Sequence, residues 1–345
     1  MPEISILQRL AEVSPENVAT SWQGLYDDNV AEKVIPSLSL IAKTCQFNDW
    51  CIYTLVREYA RTLLPNQNDC NTRTLLCHYL LLCIGFDARL TVNNNNLFLL
   101  LPCYQQVYAK GYLMLDDTPY YIYGEGKEDP NAGYYTYQAP KENGEPFNLV
   151  FLKQLQLPFK PRAFHYQKGD IAIDGQINQY LINIMVDYPQ MPIPCYAMSQ
   201  GETKARQQVL ASLKNAIKGM DKWDAANFLL HFVQSFDYAT DEEQFGKEKP
   251  FFFEETLYYP KCDCEDRAIF YGYLIKELLR TDIHLVHYPG HECTAISLGD
   301  NITGDGYMYK GHKYLIADPT YIGANVGMCM PNFRDKQPEV ELIEK

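Results

Sequence analysis

No stretch of this 345-residue chain is apolar for long enough to cross a bilayer; the longer apolar stretches, such as residues 80–83 and 97–102, are helix- or strand-sized pieces. The opening residues, Met1-Pro2-Glu3-Ile4-Ser5, lack the basic-then-apolar order of a secretory leader. The compartment stays open: cytoplasmic on the chain as given, extracytoplasmic if a leader has been trimmed. Positive charge is also short, with 30 Lys and Arg against 43 Asp and Glu, a net charge of -13. So acidic a surface repels phosphate backbones and anionic lipid heads, which excludes nucleic acid and membrane surfaces as favoured partners and leaves peptides, proteins and uncharged polymers. The 11 cysteines are odd in number and irregularly spaced, so they do not read as a disulfide framework. All but one read as buried, reduced thiols.

What is present is enough apolar residue, 47% of the chain, to build a sizeable core. The length suits about two domains. Residues 1–64 carry helical periodicity, with Ser14-Pro15 as a helix start and a helix over 50–64 that stops before Pro65. Residues 97–123 change to short apolar runs rich in Tyr, Leu and Val, expected as strands. Residues 124–147, rich in Gly, Pro, Asn and charge, read as a loop or boundary. Residues 148–200 alternate, and Asp174-Gly175 between apolar runs signals a hairpin turn. Helical spacing returns over 203–236. The expected organisation is an α+β N-terminal domain over 1–140, a β-rich linking region over 141–202 and a C-terminal domain over 203–345.

The chemistry concentrates in the C-terminal domain. Asp263-Cys264-Glu265-Asp266-Arg267-Ala268 leads into apolar residues at helical spacing, which puts Cys264 at a helix N-terminus. Unpaired backbone N–H groups there favour a thiolate, while the carboxylates of Asp263, Glu265 and Asp266 oppose it. His291 follows the Pro289-Gly290 turn and opens a strand. A second strand, Tyr314-Leu315-Ile316-Ala317, ends on Asp318, held extended by Pro319. The spacing is 27 residues from Cys264 to His291 and 27 from His291 to Asp318. This is the set a thiol nucleophile needs: sulfur, imidazole base, and a carboxylate that holds the base in one tautomer.

Those residues resemble the transglutaminase-like superfamily of papain-fold thiol enzymes, over residues 220–330. The resemblance implies a papain/transglutaminase-like core, a Cys-bearing helix packed on an antiparallel sheet bearing His and Asp. It also implies Cys264 as nucleophile, His291 as general base and Asp318 as orienting acid. Cys262 stands where many members have Gly, and Cys293 where an aromatic often follows the histidine; both touch the wall of the site. The implied activity is acyl transfer or hydrolysis at a peptide or carboxamide, hydrolysis preferred, on a peptide or protein substrate that includes cell-wall peptide. No cofactor and no metal are called for. A zinc reading of Cys262, Cys264, His287, His291 and Cys293 fails on ligand spacing. His284 and His287 compete for the base but sit in a strand-like run, as structural histidines do. Asp300 and Asp305 read as hairpin-turn residues rather than calcium ligands. The oxyanion hole would use the Cys264 N–H and one of Gln244, Tyr258 and Tyr259. The rival function is a catalytically silent binding module for peptide or glycan, to which 27 tyrosines would lend contact surface.

The first half echoes the second. Asp69-Cys70-Asn71-Thr72-Arg73 parallels Asp263 to Arg267, Asp87-Ala88 parallels Asp282-Ile283, and Lys110-Gly111 with Asp117 parallels Lys310-Gly311 with Asp318. Asn93 to Asn96 stand where the histidine should fall. The N-terminal domain therefore reads as a degenerate, inert copy.

Overall fold

A computed structural model of the protein describes residues 9–137, 144–168 and 171–342. The fold is mixed α+β with antiparallel sheets. The chain forms two compact units, Met1–Leu149 and Val150–Lys345. Among the described residues no helix is long and apolar enough to cross a membrane.

In the first unit, helices α1 (Pro15–Asp27), α2 (Val30–Cys45) and α3 (Asp49–Leu63) pack around α4 (Cys70–Ile84). The Ser14 hydroxyl accepts from the Asn17 N–H and caps α1. Helix α4 is buried over most of its circumference, which is why its apolar residues show no one-sided stripe. It lies on a five-stranded sheet of β1 (Arg89–Asn93), β2 (Asn96–Pro102), β3 (Tyr112–Leu115), β4 (Thr118–Tyr123) and β5 (Tyr134–Thr136), ordered β3-β4-β2-β1-β5. Strand β5 falls inside the segment expected as loop. Its polar composition hid it, because an edge strand with exposed side chains carries little apolar pattern.

The second unit opens with the hairpin β6 (Pro161–Lys168) and β7 (Ile171–Asn178). Asp174-Gly175 is not its turn. Both residues lie inside β7, and Gly175 pairs with Phe164, whose ring occupies the space a Cβ would need. Lys168 pairs with Ile171, and residues 169–170 between them lie outside the described residues. Helices α5 (Gln179–Met185) and α6 (Ile193–Met198) follow, so the segment expected to be β-rich is partly helical. Then come α7 (Thr203–Ala216), α8 (Lys222–Gln234), α9 (Asp241–Phe245), α10 (Phe253–Tyr258) and α11 (Cys264–Leu274). Helix α11 packs on the second five-stranded sheet: β8 (Ile283–Tyr288), β9 (His291–Ile296), β10 (Gly306–Tyr309), β11 (His312–Ala317) and β12 (Glu339–Leu342), ordered β10-β11-β9-β8-β12. Phe253 and Phe270 stack at 4.3 Å under α11; such a ring pair adds about 0.5–1.5 kcal/mol beyond its buried area.

The two sheets share strand order and connectivity, each follows a helix with an Asp N-cap, and every neighbouring pair in each is antiparallel. An offset of 194 carries Cys70 to Cys264, Arg73 to Arg267 and strand β4 onto β11. By this register the residue at the place of Asp318 is Gly124, just past β4. Asp117 lies one hairpin turn earlier, where the second sheet has Gly311. The sequence echo at Asp117 was therefore misaligned.

Candidate functional site

Helix α11 starts at Cys264 because Asp263 is extended (φ -108°, ψ -154°) and its N–H is taken by the Asp266 carboxylate at 3.2 Å. Asp266 also accepts from the Phe251 N–H at 2.7 Å, which ties the preceding segment to the helix start. The buried Arg267 guanidinium donates to the carbonyls of Phe236 (2.6 Å) and Pro319 (3.4 Å), linking the Cys helix to the loop after β11.

His291 opens β9 directly after the two-residue turn Pro289-Gly290, where Gly290 takes the left-handed conformation (φ 74°). Asp318 follows the last residue of β11. Register brings the two together: Ala317 pairs with Thr294, so Asp318 falls beside Cys293, on the face that carries His291. His291 Nε2 meets Asp318 Oδ2 at 2.8 Å, with both side chains buried. The other Asp318 oxygen accepts from the N–H groups of Thr320 (2.8 Å) and Tyr321 (3.1 Å). That Asx turn fixes the carboxylate as an acceptor on both sides. The imidazole, facing it, carries its proton on Nε2 and leaves Nδ1 as the basic nitrogen. The His291 ring also lies flat on Phe333, 5.0 Å between centroids and 1° between planes.

Cys264 is half-buried. Its thiol donates to Glu265 Oε2 at 3.1 Å, and no hydrogen bond joins it to His291 among the described residues. The backbone N–H of Glu292, next to His291, lies close enough to the sulfur to favour its thiolate. The opposing influences are stronger: burial first, then the charges of Glu265 and Asp263, hold the thiol far above its ordinary pKa. The contest between helix N-terminus and carboxylates at Cys264 goes to burial and the carboxylates. Glu265→Gln is therefore expected to move the pH profile of Cys264 alkylation to lower pH; an unmoved or raised profile contradicts this cause.

The surrounding acids obey the same physics. Burial pushes Asp241 up to about 6, Glu255 up to about 7 and Glu292 up to about 8. For Glu292 the charges of Glu341 and Glu265 add to it. Folded protein thus holds protons that the unfolded chain has released above its ordinary carboxyl pKa near 4. The stability these groups contribute is full below that pH and is lost as pH rises toward about 8. The melting temperature is expected to fall between about pH 5 and about pH 8.5. A rise over that range would contradict the burial argument.

The other candidates have structural employment. His284 stacks on Tyr314 at 3.9 Å and bonds Tyr307 at 2.9 Å, inside an aromatic core. The half-exposed His287 bonds Glu292 at 3.1 Å. Asp300 accepts from the Lys313 N–H, and Asp305 from the Cys329 N–H and the Arg334 guanidinium. Of the oxyanion candidates, the Gln244 amide donates to the Lys261 carbonyl at 3.3 Å, while Tyr258 and Tyr259 line a groove of about 850 Å³. The groove runs along β6 and reaches Cys262, two residues before Cys264, with Arg162, Tyr166, Phe236 and Lys261 on its walls.

Two residues that hold the site escaped sequence reading. The buried Gln234 amide donates to the carbonyls of Asp318 (3.1 Å) and Ala324 (3.0 Å) and accepts from the Gly323 N–H (3.0 Å), clamping the Asp318 loop. Phe333 supports the imidazole from beyond the sheet. Neither has a local pattern; a polar residue late in an otherwise apolar helical stretch was the sole signal for Gln234.

No protein-family model, curated protein or solved structure gives a significant match to this chain.

Proposed function

We propose that the C-terminal unit is a thiol-dependent enzyme for peptide or carboxamide substrates, with Cys264 as nucleophile, His291 as general base and Asp318 as the orienting acid, on a papain/transglutaminase-like core. One observation carries the reading: the 2.8 Å bond between His291 and Asp318, which frees Nδ1, made on a strand whose next N–H acts on the Cys264 sulfur. The resting sulfur is a thiol, so turnover begins when Cys264 leaves Glu265 and passes its proton to His291 Nδ1. The sulfur then attacks the substrate carbonyl carbon, the C–N bond breaks, and His291 returns the proton to the departing amine. The thioester left on Cys264 is opened by water, giving an acid, or by an amine, giving a new amide. Hydrolysis is the preferred outcome, since the sequence carries no motif for an amine site. The groove between β6 and residues 256–262 is the seat for the acyl side of the substrate.

A second reading, a catalytically silent peptide or glycan module, is favoured by the thiol's bond to Glu265. Incubation of wild type and Cys264→Ala with peptide and cell-wall fragment libraries, read by mass, separates the two. Hydrolysed or transamidated products that require Cys264 support the enzyme. Binding without product in both proteins supports the module and ends the enzymatic reading.

The N-terminal unit is proposed as a degenerate copy of this core. The shared strand order supports that, with an offset of 194 from Cys70 to Cys264 and from β4 to β11, and of 195 in the hairpin where Asn93 pairs with Asn96 as Tyr288 pairs with His291; so does the dead constellation. Cys70 would have Asn96 at the place of the base and Gly124 at the place of the acid. At Gly124 even a Cβ would come within 2.6 Å of the Phe98 ring.

A further inference from the structure

Cys293 has no part in the proposed acyl transfer, yet it is fixed beside two residues that do. One strand step of two separates it from His291, and the register of β11 sets Asp318 next to it. A histidine nitrogen, the Cys293 sulfur and a carboxylate oxygen of Asp318 all lie within 4.8 Å of one another, and all three residues are buried. In a tetrahedral zinc site the bonds are about 2.0–2.3 Å, which sets ligand atoms roughly 3.3–3.7 Å apart. To reach that spacing the sulfur, at most 4.8 Å from its partners, closes by up to about 1.1–1.5 Å, and the 2.8 Å His291–Asp318 bond opens by roughly 0.5 Å.

We propose that His291, Cys293 and Asp318 bind a zinc ion that shuts the thiol site. The proposal rests on the assignment of His291 and Asp318 as base and orienting acid, and it adds a reversible inhibitor to that site. Nitrogen and sulfur donors select zinc over calcium or magnesium, which take oxygen. Charge agrees: a neutral imidazole, a thiolate and a carboxylate total two negative charges, so a divalent ion leaves a buried site neutral. The trio is also not the five-residue set that its spacing ruled out in the sequence. Cys262 faces the Asp237 carbonyl and His287 faces Glu292, outside this trio.

The protons balance without a redox step. Zinc takes Nε2 of His291, whose proton moves to Nδ1. Zinc takes the Cys293 sulfur, whose proton leaves to solvent. The carboxylate of Asp318 exchanges its hydrogen bond for the metal, and water fills the fourth position. One proton is released for each ion bound. Inhibition follows directly, since Nδ1 now carries a proton and cannot accept the one on Cys264.

The test titrates the chelator-treated full chain with zinc against a chromophoric chelator. Wild type and Cys264→Ala are expected to bind one equivalent with equal affinity. Cys293→Ser and Cys293→Ala are expected to bind about 10²-fold more weakly or worse. Cobalt(II) in wild type and Cys264→Ala should show thiolate-to-metal charge-transfer absorption, a readout that needs no Cys293 variant. Zinc should slow alkylation of Cys264 in wild type. Weakening in Cys264→Ala as large as in the Cys293 variants would place the ion on the nucleophile and overturn the proposal. So would wild-type binding no tighter than that of the Cys293 variants, or a cobalt complex without thiolate absorption. If zinc-free protein shows no His291-dependent thiol reactivity, the catalytic assignment fails while the metal affinities still report on the trio.

Discussion

Replacing Asp318 by asparagine is expected to cut turnover about 10²–10⁴-fold with the fold retained, the range a lost general base accounts for. The reason lies in which atoms are already committed. Thr320 and Tyr321 present two N–H donors to one Asp318 oxygen, so an asparagine must turn its carbonyl oxygen to them. Its NH2 group then faces His291 Nε2, which has to become the acceptor. The ring proton moves to Nδ1, and the nitrogen that should receive the Cys264 proton is blocked. Turnover of Asp318→Asn within threefold of wild type, on any substrate the enzyme accepts, would show that the carboxylate does not set the tautomer.

Glu254→Ala is expected to destabilise the C-terminal unit by about 3–5 kcal/mol, the cost of leaving one member of a buried ion pair alone. Glu254 is fully buried in α10, and its carboxylate takes the Arg206 guanidinium at 2.6 Å and the Glu202 N–H at 2.8 Å. Arg206 is held over the rings of Phe253 and Tyr273 and is buried on α7. Truncation strands that cation among aromatic rings. In a thermal melt the loss corresponds to roughly 10 °C for a unit of this size. A shift of under about 2 °C would mean that Arg206 finds another partner or solvent, and that the pair does not hold α7 to α10.

The three candidate site residues were legible because each announces itself locally. Cys264 stands between an N-cap and a run of apolar residues at helical spacing, His291 after a Pro-Gly turn, and Asp318 before a proline that stops its strand. What sequence could not supply was register. The approach of Cys293 to Asp318 depends on how β11 slides against β9, and one residue of slip would turn Cys293 to the other face. The same limit explains the misaligned echo at Asp117: two hairpins of similar composition look alike until their pairing is known. Asp174-Gly175 misled for a different reason. Its glycine answers to the neighbouring Phe164 ring rather than to a turn, and that demand comes from across the hairpin. Glu265 was recognised as an opposing charge, but its direct bond to the thiol depends on a side-chain direction the sequence does not encode.

The central claim is that His291 is the base for Cys264. The direct measurement is the rate of Cys264 alkylation across pH in chelator-treated wild type and His291→Ala, with Cys264→Ala to mark the signal. The account expects wild type to react about 10²-fold faster near neutral pH, with the two rates converging at high pH as solvent removes the proton unaided. Equal rates across the whole profile would contradict it.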